Sequence, residues 1–473
     1  MVRTSLVINI SMNYFPLVWY PALAAGTYGF YRYYVASTDY WTSFLPAAHD
    51  PVREIAIASS LYLTYEVVQF ARSKIFRPAP TLPPAHPNRN NENAHVIIAA
   101  HKAFDSLKNI LPSVLAAFPA DHVWVADNGL VRDQATQLLC QELGIQYRFY
   151  DIPNKTYALY KTAQEIYDVH HDSVSSLVLL DDDTQLPEGF FVRNDLLQEP
   201  LVAGYCVGIA IQKSPPYNFL ENLIDFEYRT ISYRNECKAY HGTLQFLHGI
   251  CAVYNVKRML AIYSKLCTLP GGLPFGEDSF AGVDCRLAGY RLLQDNQNVV
   301  TTFCPRRIFP PLCEKGREQG FGASSLWKQR AMRWYLSWPR RLPSEIALGL
   351  FYDAGSWLGN VVYRIDLIWY MLLISVSSLW PLYLIKIGIA HKSWALLGYL
   401  HAALYGVAVA TASIRYAAFP ASLKEGVDRR VLLLVPGFNL LMCIFMAYSF
   451  IWSLLYYIPF RRIDYKKTFE SAW

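Results

Sequence analysis

An apolar run that ends in three consecutive acids is the feature of this sequence that most restricts its fold. Residues 176–180 are Ser-Leu-Val-Leu-Leu, and Asp181, Asp182 and Asp183 follow directly. A short aliphatic run of this kind predicts a strand buried on both faces, with the acids at its carboxyl end. Open α/β sheets bind ligands at that end of their strands. We therefore expect an α/β domain with a functional site beside Asp181.

The three acids also predict a metal site. Adjacent carboxylates repel one another, and a divalent cation would neutralise part of that charge. Asp181 and Asp183 are two residues apart, so at a strand end both side chains point the same way. We interpret them as a D-x-D site for Mg²⁺ or Mn²⁺ and a diphosphate. The alternative is an acidic surface turn.

The composition indicates a membrane protein with a soluble middle. Of the 473 residues, 53% are hydrophobic and only 17% are charged, which is unusual for a soluble protein. A membrane-spanning helix needs about 20 apolar residues. Ile55 to Ala71 is a weak candidate because Glu66 interrupts it. Four longer runs carry no Asp, Glu, Lys or Arg: Thr4 to Tyr31, Leu367 to Ile385, Ser393 to Ile414 and Val431 to Phe460.

The positions of the basic residues predict the orientation in the membrane. Arg72, Lys74 and Arg77 follow the apolar segment from Ile55 to Ala71. By the positive-inside rule, these basic residues place the middle of the chain in the cytosol. The first apolar run continues past Ala22-Leu23-Ala24, so we interpret it as a retained anchor rather than a cleaved signal peptide. We expect a multi-pass protein in the lipid bilayer of the plasma membrane.

Cysteine usage and net charge exclude some classes of site. The nine cysteines form no C-x-x-C pair, which indicates a reducing compartment, structural thiols and no zinc site. The net charge of +6 is mild. We expect no nucleic-acid partner.

The middle of the chain alternates apolar strand patterns with helical patterns. Strands are predicted at residues 95–100, 123–129 (ending in an acid and a turn), 146–150 and 202–211. Helical patterns lie between the first three of these strands. This alternation favours a parallel, doubly wound sheet. We divide the chain into two transmembrane helices (1–75), a Pro/Asn-rich linker (76–93), a cytosolic catalytic domain (94–342), an interfacial helix (343–366), C-terminal transmembrane and membrane-associated helices (367–460) and a tail (461–473).

Three further motifs carry candidate functional residues. Lys155 lies in a polar turn that opens a helix, where it could approach a phosphate or simply be solvated. Glu277 and Asp278 follow Gly276 at a helix start. They could supply a general base beside the nucleotide site, or they could be an acid pair that the helix dipole stabilises.

The third motif is a basic and aromatic segment near the end of the middle region. Arg330 and Arg333 are one helical turn apart and are expected to face one pocket, with Trp334 offering a flat face for a sugar. The alternative is an amphipathic interface helix with basic anchors.

Taken in order, these motifs resemble those of the membrane-embedded, processive family 2 glycosyltransferases, and most closely the hyaluronan synthases. Cellulose and chitin synthases share the same core. The resemblance begins near His95 and continues to the C-terminus. It implies a GT-A domain, with a Rossmann-like mixed sheet, flanked by transmembrane helices. It also implies an inverting enzyme that transfers sugar from a UDP-sugar donor to a growing polysaccharide acceptor and translocates the polymer across the membrane.

The resemblance also implies roles for single residues. Asp127 matches the acid that contacts the uracil end of UDP, and Lys155 matches a basic position that follows it. The D-x-D motif falls on Asp181 and Asp183. The catalytic-base motif falls on Glu277 and Asp278, with Asp278 as the base.

Two departures from the family pattern affect the acceptor. The Q-x-x-R-W motif keeps Arg333 and Trp334, but its Gln position is Arg330, as in ceramide glucosyltransferases. His248-Gly249 stands where hyaluronan synthases have Ser-Gly. A non-processive transferase of the dolichyl-phosphate or ceramide type therefore remains an alternative function.

The end of the chain resembles the segment that leads to the family's Trp-containing gating loop. Trp473 would close over the bound donor, or it would anchor the tail at the membrane surface. If it reaches a cytosolic site, residues 431–460 cannot be one crossing that starts in the cytosol. We expect a re-entrant or interfacial pair broken at Pro436-Gly437.

Overall fold

The predicted strand that ends at Asp181 lies inside an eight-stranded sheet of order β3-β2-β1-β4-β7-β6-β8-β5. The computed structural model describes residues 51–76, 91–213, 215–267, 276–310, 325–335, 345–369 and 394–456. The first apolar run, the linker from 77 to 90, most of the run from Leu367 to Ile385 and the tail with Trp473 lie outside these ranges. The strands are β1 Ala94–Ala100, β2 Val123–Asn128, β3 Gln146–Tyr150, β4 Ser176–Asp181, β5 Thr184–Gln185, β6 Val202–Ile211, β7 Cys251–Asn255 and β8 Arg291–Thr302.

The sheet is mixed, as expected. Strands β3, β2, β1 and β4 pair in parallel, which confirms the parallel arrangement for this half. Strand β7 pairs antiparallel with both β4 and β6, so a purely parallel sheet is wrong for the other half. The sequence pattern of alternating strands and helices ends after β4, and an antiparallel strand needs no helical crossover.

The strand directions bring many chain segments to one edge of the sheet. The carboxyl ends of β1, β2, β3 and β4 share this edge because these strands are parallel. The start of β7 and the ends of β6 and β8 reach it too, because β7 is antiparallel to β4 and β6, and β8 is parallel to β6. In register, Asp127 lies opposite Ala100 and Asp181 lies opposite Ala99.

Helices cover both faces of the sheet, and apolar side chains fill the two layers between them. Leu107, Ile110 and Leu111 of α2 are buried on one face, and Leu159, Met259 and Ile262 of α4 and α7 on the other. The helices of this domain are α2 Phe104–Ala117, α3 Gln134–Glu142, α4 Lys155–His170, α5 Asn194–Leu197, α6 Phe219–Ala239, α7 Val256–Cys267, α8 Glu277–Leu287 and α9 Leu326–Gln329, which a π-helical turn continues over Arg330–Trp334.

The remaining helices flank this domain in sequence. They are α1 Pro51–Ile75, α10 (345–351), α11 (357–369), α12 Trp394–Ala418, α13 Ala421–Lys424 and α14 Val431–Tyr456. The segment expected as one interfacial helix over 343–366 is divided between α10 and α11. Gly355 lies in the break with φ of 81°, a left-handed conformation that favours glycine.

Buried ion pairs attach α1 to the domain that contains the sheet. The side chain of Glu66 is fully buried, and its Oε1 accepts hydrogen bonds from Arg234 of α6 and Arg415 of α12, each at 2.6 Å. Arg72 pairs with Asp366 of α11 at 3.4 Å and donates to the Cys237 carbonyl at 2.9 Å. Glu66, which interrupts the apolar run in the sequence, thus connects three helices.

Helix α14 is continuous from Val431 to Tyr456, so the expected break at Pro436-Gly437 is wrong. Pro436 removes one backbone hydrogen bond, but the helix is held by a buried face at helical spacing. This face consists of Val431, Val435, Phe438, Met442 and Phe445.

The length and composition of α14 also meet the requirement for crossing a membrane. Within the ranges that the structure describes, its Val431–Ser449 segment is the one helical stretch long and apolar enough to do so. The predicted span over 431–460 is thus supported by length and composition only. Within the protein, 28% of the segment is buried.

The cysteines in the described part of the chain are free thiols, as predicted for structural cysteines. Six of these eight are fully buried: Cys140, Cys206, Cys237, Cys251, Cys285 and Cys304.

Gly282 allows α8 to pack against the chain before β7. A Cβ atom at this position would lie 2.3 Å from the Gln245 carbonyl oxygen and 2.6 Å from Phe246 Cα. Because both atoms are backbone, we expect Gly282→Ala to destabilise the protein by about 1–3 kcal/mol. Thermal unfolding of the full-length protein would measure this.

Gly406 of α12 provides the matched control, because a Cβ there meets nothing within 4 Å. Gly406→Ala should change stability by less than about 1 kcal/mol, in the stabilising direction. Equal melting temperatures for the Gly282→Ala variant and the wild type would contradict the packing described.

Candidate active site

Lys155 lies between two carboxylates that come from distant parts of the chain. Its Nζ is 2.6 Å from Asp181 Oδ1 at the end of β4 and 3.0 Å from Glu277 Oε1 at the start of α8. Lys155 is the first residue of α4, and Asn154 caps the helix by accepting from the Tyr157 amide at 3.0 Å. A cation at a helix start opposes the helix dipole, so the two carboxylates compensate for an unfavourable position.

The charges of this group shift one another's pKa. Burial lowers the pKa of Lys155, but the attraction of Asp181 and Glu277 outweighs it and holds the pKa well above its usual value. Burial likewise raises the pKa of Glu277, and the positive charge of Lys155 outweighs that effect and lowers it. Lys155 is therefore a cation and Glu277 an anion near neutral pH.

The acids after Asp181 are buried and crowded. Burial, reinforced by the charge of Asp181, raises the pKa of Asp183 to about 7. Burial and the charge of Asp183 raise the pKa of Asp182 as well. Asp183 Oδ1 accepts a hydrogen bond from Thr302 Oγ1, at the end of β8, at 3.1 Å. Burial and the neighbouring negative charges therefore disfavour the ionised forms of Asp182 and Asp183.

Asp278 lies beside this cluster with both carboxylate oxygens oriented by backbone amides. Oδ2 accepts from the Gly249 amide at 3.3 Å and Oδ1 from the Ser279 amide at 2.7 Å. Gly276, with φ of 80°, turns the chain into α8 so that Asp278 falls in its first turn. The helix dipole there favours the ionised carboxylate. Backbone amides therefore fix the orientation of both carboxylate oxygens of Asp278.

Asp127 ends β2 at the same edge of the sheet. Its Oδ2 accepts from the Tyr147 hydroxyl at 2.5 Å and from the Asp133 amide at 3.1 Å. Burial raises the pKa of Asp127, and these two hydrogen bonds oppose the rise. Strand β1 separates β2 from β4, so Asp127 and Asp181 are about 10 Å apart across the sheet. Lys155, Gly249, Glu277 and Asp278 line a small cavity whose other lining residues are apolar or aromatic: Leu159, Leu179, Leu180, Leu247, Ala252, Tyr254 and Tyr263.

The two arginines of the basic segment have different partners. Arg333 lies near enough to Glu277 for its charge to lower the pKa of that carboxyl group. Arg330 is only 1% exposed and pairs with Glu227 of α6 at 2.6 Å. A π-helical turn has more residues per turn than an α-helix, so residues three apart do not share a face. The expectation that both arginines face one pocket is therefore not met.

Trp334 is stacked on one side by a cation. The Arg330 guanidinium carbon lies 3.7 Å from the centroid of the Trp334 ring. A sugar could therefore stack only on the opposite face of the indole.

The structure thus brings together Lys155, Asp181, Asp183, Glu277, Asp278 and Arg333, and it places Asp127 at the same sheet edge. Trp473 lies outside the described residues. Thr302, Tyr147, the Gly249 amide and Glu227 also belong to this region and were not identified from the sequence. Each is brought there by pairing between strands or helices far apart in the chain, and no local sequence pattern indicates it.

The number of side chains that could bind one metal ion together is small in the described part of the chain. Within the described ranges, no group of three or more His, Cys, Asp and Glu side chains is arranged to hold a metal ion. Protein side chains alone therefore do not form a complete coordination shell in this part of the chain.

Comparisons with known proteins give distant structural likenesses only. No protein-family model and no curated protein sequence matches the chain. A mannosyltransferase from Pyrobaculum calidifontis, solved with GDP-Man and Mn²⁺, is 15% identical, with 82% of this chain and 98% of that chain covered and a TM-score of 0.41.

Two further solved structures are similar to parts of the chain. Glucosyl-3-phosphoglycerate synthase from Mycobacterium tuberculosis, solved with Mn²⁺, UDP and phosphoglyceric acid, is 18% identical over 48% of this chain and 76% of its own, with a TM-score of 0.28. GalNAc-T7, solved with UDP, GalNAc and Mn²⁺, is 12% identical over 61% of this chain and 57% of its own, with a TM-score of 0.34. Each of the three complexes contains Mn²⁺ and a nucleotide or nucleotide sugar.

Replacing Lys155 with Met should destabilise the protein in a pH-dependent way. Lys155 holds the pKa of Glu277 below its usual value. Its contribution to stability is therefore present above about pH 4 and is lost as the pH falls through the lower folded-state pKa. We expect Lys155→Met to lose about 1–3 kcal/mol at pH 8, because two carboxylates lose their partner. The loss should shrink as the pH falls below about 4.

Unfolding measured at pH 8 and at about pH 2 would test this, because only the lower pH lies below the depressed folded-state pKa of Glu277. Lys161→Met is the control, since Lys161 lies on the same helix and donates to Gln164 Oε1 at 3.2 Å. A deficit for Lys155→Met that is the same at both pH values would show that the carboxylates do not depend on this cation.

Proposed function

We propose that the protein is an inverting glycosyltransferase that uses a UDP-sugar donor. The observation that carries this proposal is the meeting of three groups at one sheet edge. A pair of acids, Asp181 and Asp183, lies beside a cation, Lys155, and beside the carboxylate of Asp278 at a helix start. A metal–diphosphate donor needs the acid pair and the cation, and an acceptor hydroxyl needs the carboxylate of Asp278.

The acid cluster fits Mg²⁺ or Mn²⁺. These ions are commonly bound by one or two carboxylates together with substrate phosphates, so a complete protein cage is not required. Asp181 and Asp183 would hold the ion. Its positive charge would offset the unfavourable effect of burying two negative charges close together. When bound, the ion would stabilise the negative charge of the departing diphosphate.

The other residues divide between the two ends of the donor. Asp127 would bind the uracil end, since β2 and β4 end at the same edge of the sheet about 10 Å apart. Lys155 would exchange a carboxylate partner for a diphosphate oxygen. Arg333, which already lies near Glu277, would add a second positive charge there.

Asp278 would act as the general base. It would take the proton from an acceptor hydroxyl as the acceptor oxygen bonds to the anomeric carbon and the bond from that carbon to the UDP oxygen breaks. One displacement inverts the configuration and requires no covalent enzyme intermediate. Trp334 would hold the acceptor sugar by stacking.

We further propose that the acceptor is a growing polysaccharide and that the polymer leaves through the membrane, as the resemblance to hyaluronan synthases implies. Contacts of α14 with the segment that carries Trp334 support this. Ser449 Oγ donates to the Ala331 carbonyl at 2.7 Å, and the ring of Phe445 lies 4.9 Å from that of Trp327. The acceptor region therefore lies beside the most apolar helix of the described chain.

We also propose that the protein is a multi-pass plasma-membrane protein with its catalytic domain in the cytosol; the orientation is supported by two basic segments that contact this domain. Arg72 at the end of α1 contacts Cys237 of α6. The loop between α12 and α14 contacts the domain as well, since Arg229 donates to the Leu423 carbonyl at 3.0 Å. Both segments are basic, the second through Lys424, Arg429 and Arg430, and basic residues favour the cytosolic side. The closing role of Trp473 stays a proposal from the resemblance.

A lipid-directed transferase is the second candidate, since Arg330 matches the ceramide glucosyltransferase motif. Incubation of the purified protein with radiolabelled UDP-sugars separates the two by product. Label that is retained with long polymer supports the synthase, and label that extracts into organic solvent supports the lipid-directed enzyme. No transfer from any UDP-sugar would refute both.

Replacing Asp278 with Asn should abolish transfer while UDP binding survives. The substitution removes the proton acceptor and leaves Asp181, Asp183 and Lys155 in place. Loss of a positioned base lowers the rate by about 10²- to 10⁴-fold. Turnover and calorimetric UDP binding would be measured together.

Asp284→Asn serves as the control, because Asp284 lies on the same helix and burial raises its pKa to about 6. It should retain wild-type turnover. Transfer by Asp278→Asn within a few-fold of the wild type would dismiss Asp278 as the base.

Replacing Asp183 with Asn should weaken UDP binding when Mn²⁺ is present and change it little when EDTA is present. The carboxylate acts on the nucleotide through the ion, so its loss matters only when the ion is there. Titration of UDP in both conditions gives the comparison. If the wild type binds UDP equally well with EDTA, Asp181 and Asp183 do not form a metal–diphosphate site.

A further inference from the structure

The ion pair between Glu227 and Arg330 lies next to the acceptor region and has no role in the mechanism above. Glu227 is on α6 and Arg330 opens the π-helical turn, 103 residues later in the chain. Arg330 Nη2 is 2.6 Å from Glu227 Oε2, and the two side chains are 1% and 22% exposed. Removing one member of such a pair leaves the other charge buried without its partner.

The guanidinium of Arg330 also lies against two aromatic rings. Its central carbon is 3.7 Å from the Trp334 ring centroid and 5.3 Å from that of Tyr228. Tyr228 and Trp334 meet edge to face at 6.0 Å. The indole is therefore in contact with a planar cation on one face and with a phenol ring that is nearly perpendicular to it.

Glu227 determines where that cation lies. Among the described residues, Arg330 Nε has no hydrogen-bond partner, and the ion pair of Arg330 is with Glu227. Without the carboxylate, the guanidinium would be drawn towards water or towards other acids. It would then leave the face of Trp334, and the ring would lose the contact that fixes its orientation.

We propose that Glu227 is a positioning residue: it holds Arg330 flat against Trp334 and so fixes the indole face on which the acceptor sugar stacks. This inference rests on the proposed glycosyltransferase function. Arg330 then acts through Trp334 and not by contact with the donor diphosphate. The cation also restricts the acceptor to one side of the ring.

The first test separates acceptor binding from donor binding. The donor is the UDP-sugar that the wild type uses, and the probe acceptor is the matching free monosaccharide. Glu227→Gln should raise the acceptor KM by about 5- to 10-fold, the value of one cation–π contact. The kcat, the affinity for UDP with Mn²⁺ and the hydrolysis of the donor by water should not change.

Two further variants test the route through Arg330. Arg330→Lys keeps the charge but loses the planar surface, so it should raise the acceptor KM as Glu227→Gln does. Glu221→Gln is the control on α6, because Glu221 forms an ion pair with Arg306 at 3.0 Å. It should leave the acceptor KM at the wild-type value.

A double-mutant cycle excludes a merely structural role. In a Trp334→Ala background, Glu227→Gln should have no further effect on the acceptor KM, because its action passes through that ring. Additive effects, or a parallel loss of UDP affinity, would overturn the positioning role. A wild type that transfers sugar to neither water nor monosaccharide would instead refute the proposed function itself.

Discussion

The interaction on which this structure most depends is the contact of Lys155 with Asp181 and Glu277. The end of β4 and the start of α8 both carry acids, and these would repel one another without a cation between them. Lys155 Nζ lies within 3.0 Å of both carboxylates, so one side chain joins α4, β4 and α8 at the sheet edge. The geometry of Asp278, one residue after Glu277, follows from the same contact.

A second set of buried ion pairs connects this domain to the helices that flank it. Glu66 bridges Arg234 and Arg415, and Arg72 pairs with Asp366. Charges of this kind are costly to separate once buried, so α1, α11 and α12 are fixed to α6. Helix α14 uses apolar packing on the segment that carries Trp334. The segment of Trp334 is thereby in contact with the apolar part of the protein.

The sequence predicts the parts of the site that depend on local chemistry. An aliphatic run followed by acids indicates the strand that ends at Asp181, and Gly276 before two acids indicates a helix start. Strand β7 could not be identified in the same way, because its position between β4 and β6 results from antiparallel pairing. Gly249 reaches the site because it lies just before β7, and Thr302 because β8 pairs with β5 and β6.

Two expectations failed for reasons that lie in packing. The direction of Arg330 depends on a π-helical turn and on Glu227, neither of which the spacing of Arg330 and Arg333 reveals. The predicted break at Pro436 does not occur, because burial of Val435 and Phe438 on either side stabilises the helix through it. Local propensity is overridden by tertiary contacts in both cases.

The most direct test of the central claim is to locate Mn²⁺ by its anomalous scattering in crystals grown with UDP. The account predicts a peak between the carboxylates of Asp181 and Asp183 and the diphosphate of UDP. It also predicts that Lys155 turns from Asp181 towards a phosphate oxygen. A UDP complex without a peak there, with Lys155 still between Asp181 and Glu277, would contradict the assignment of this cluster as the donor site.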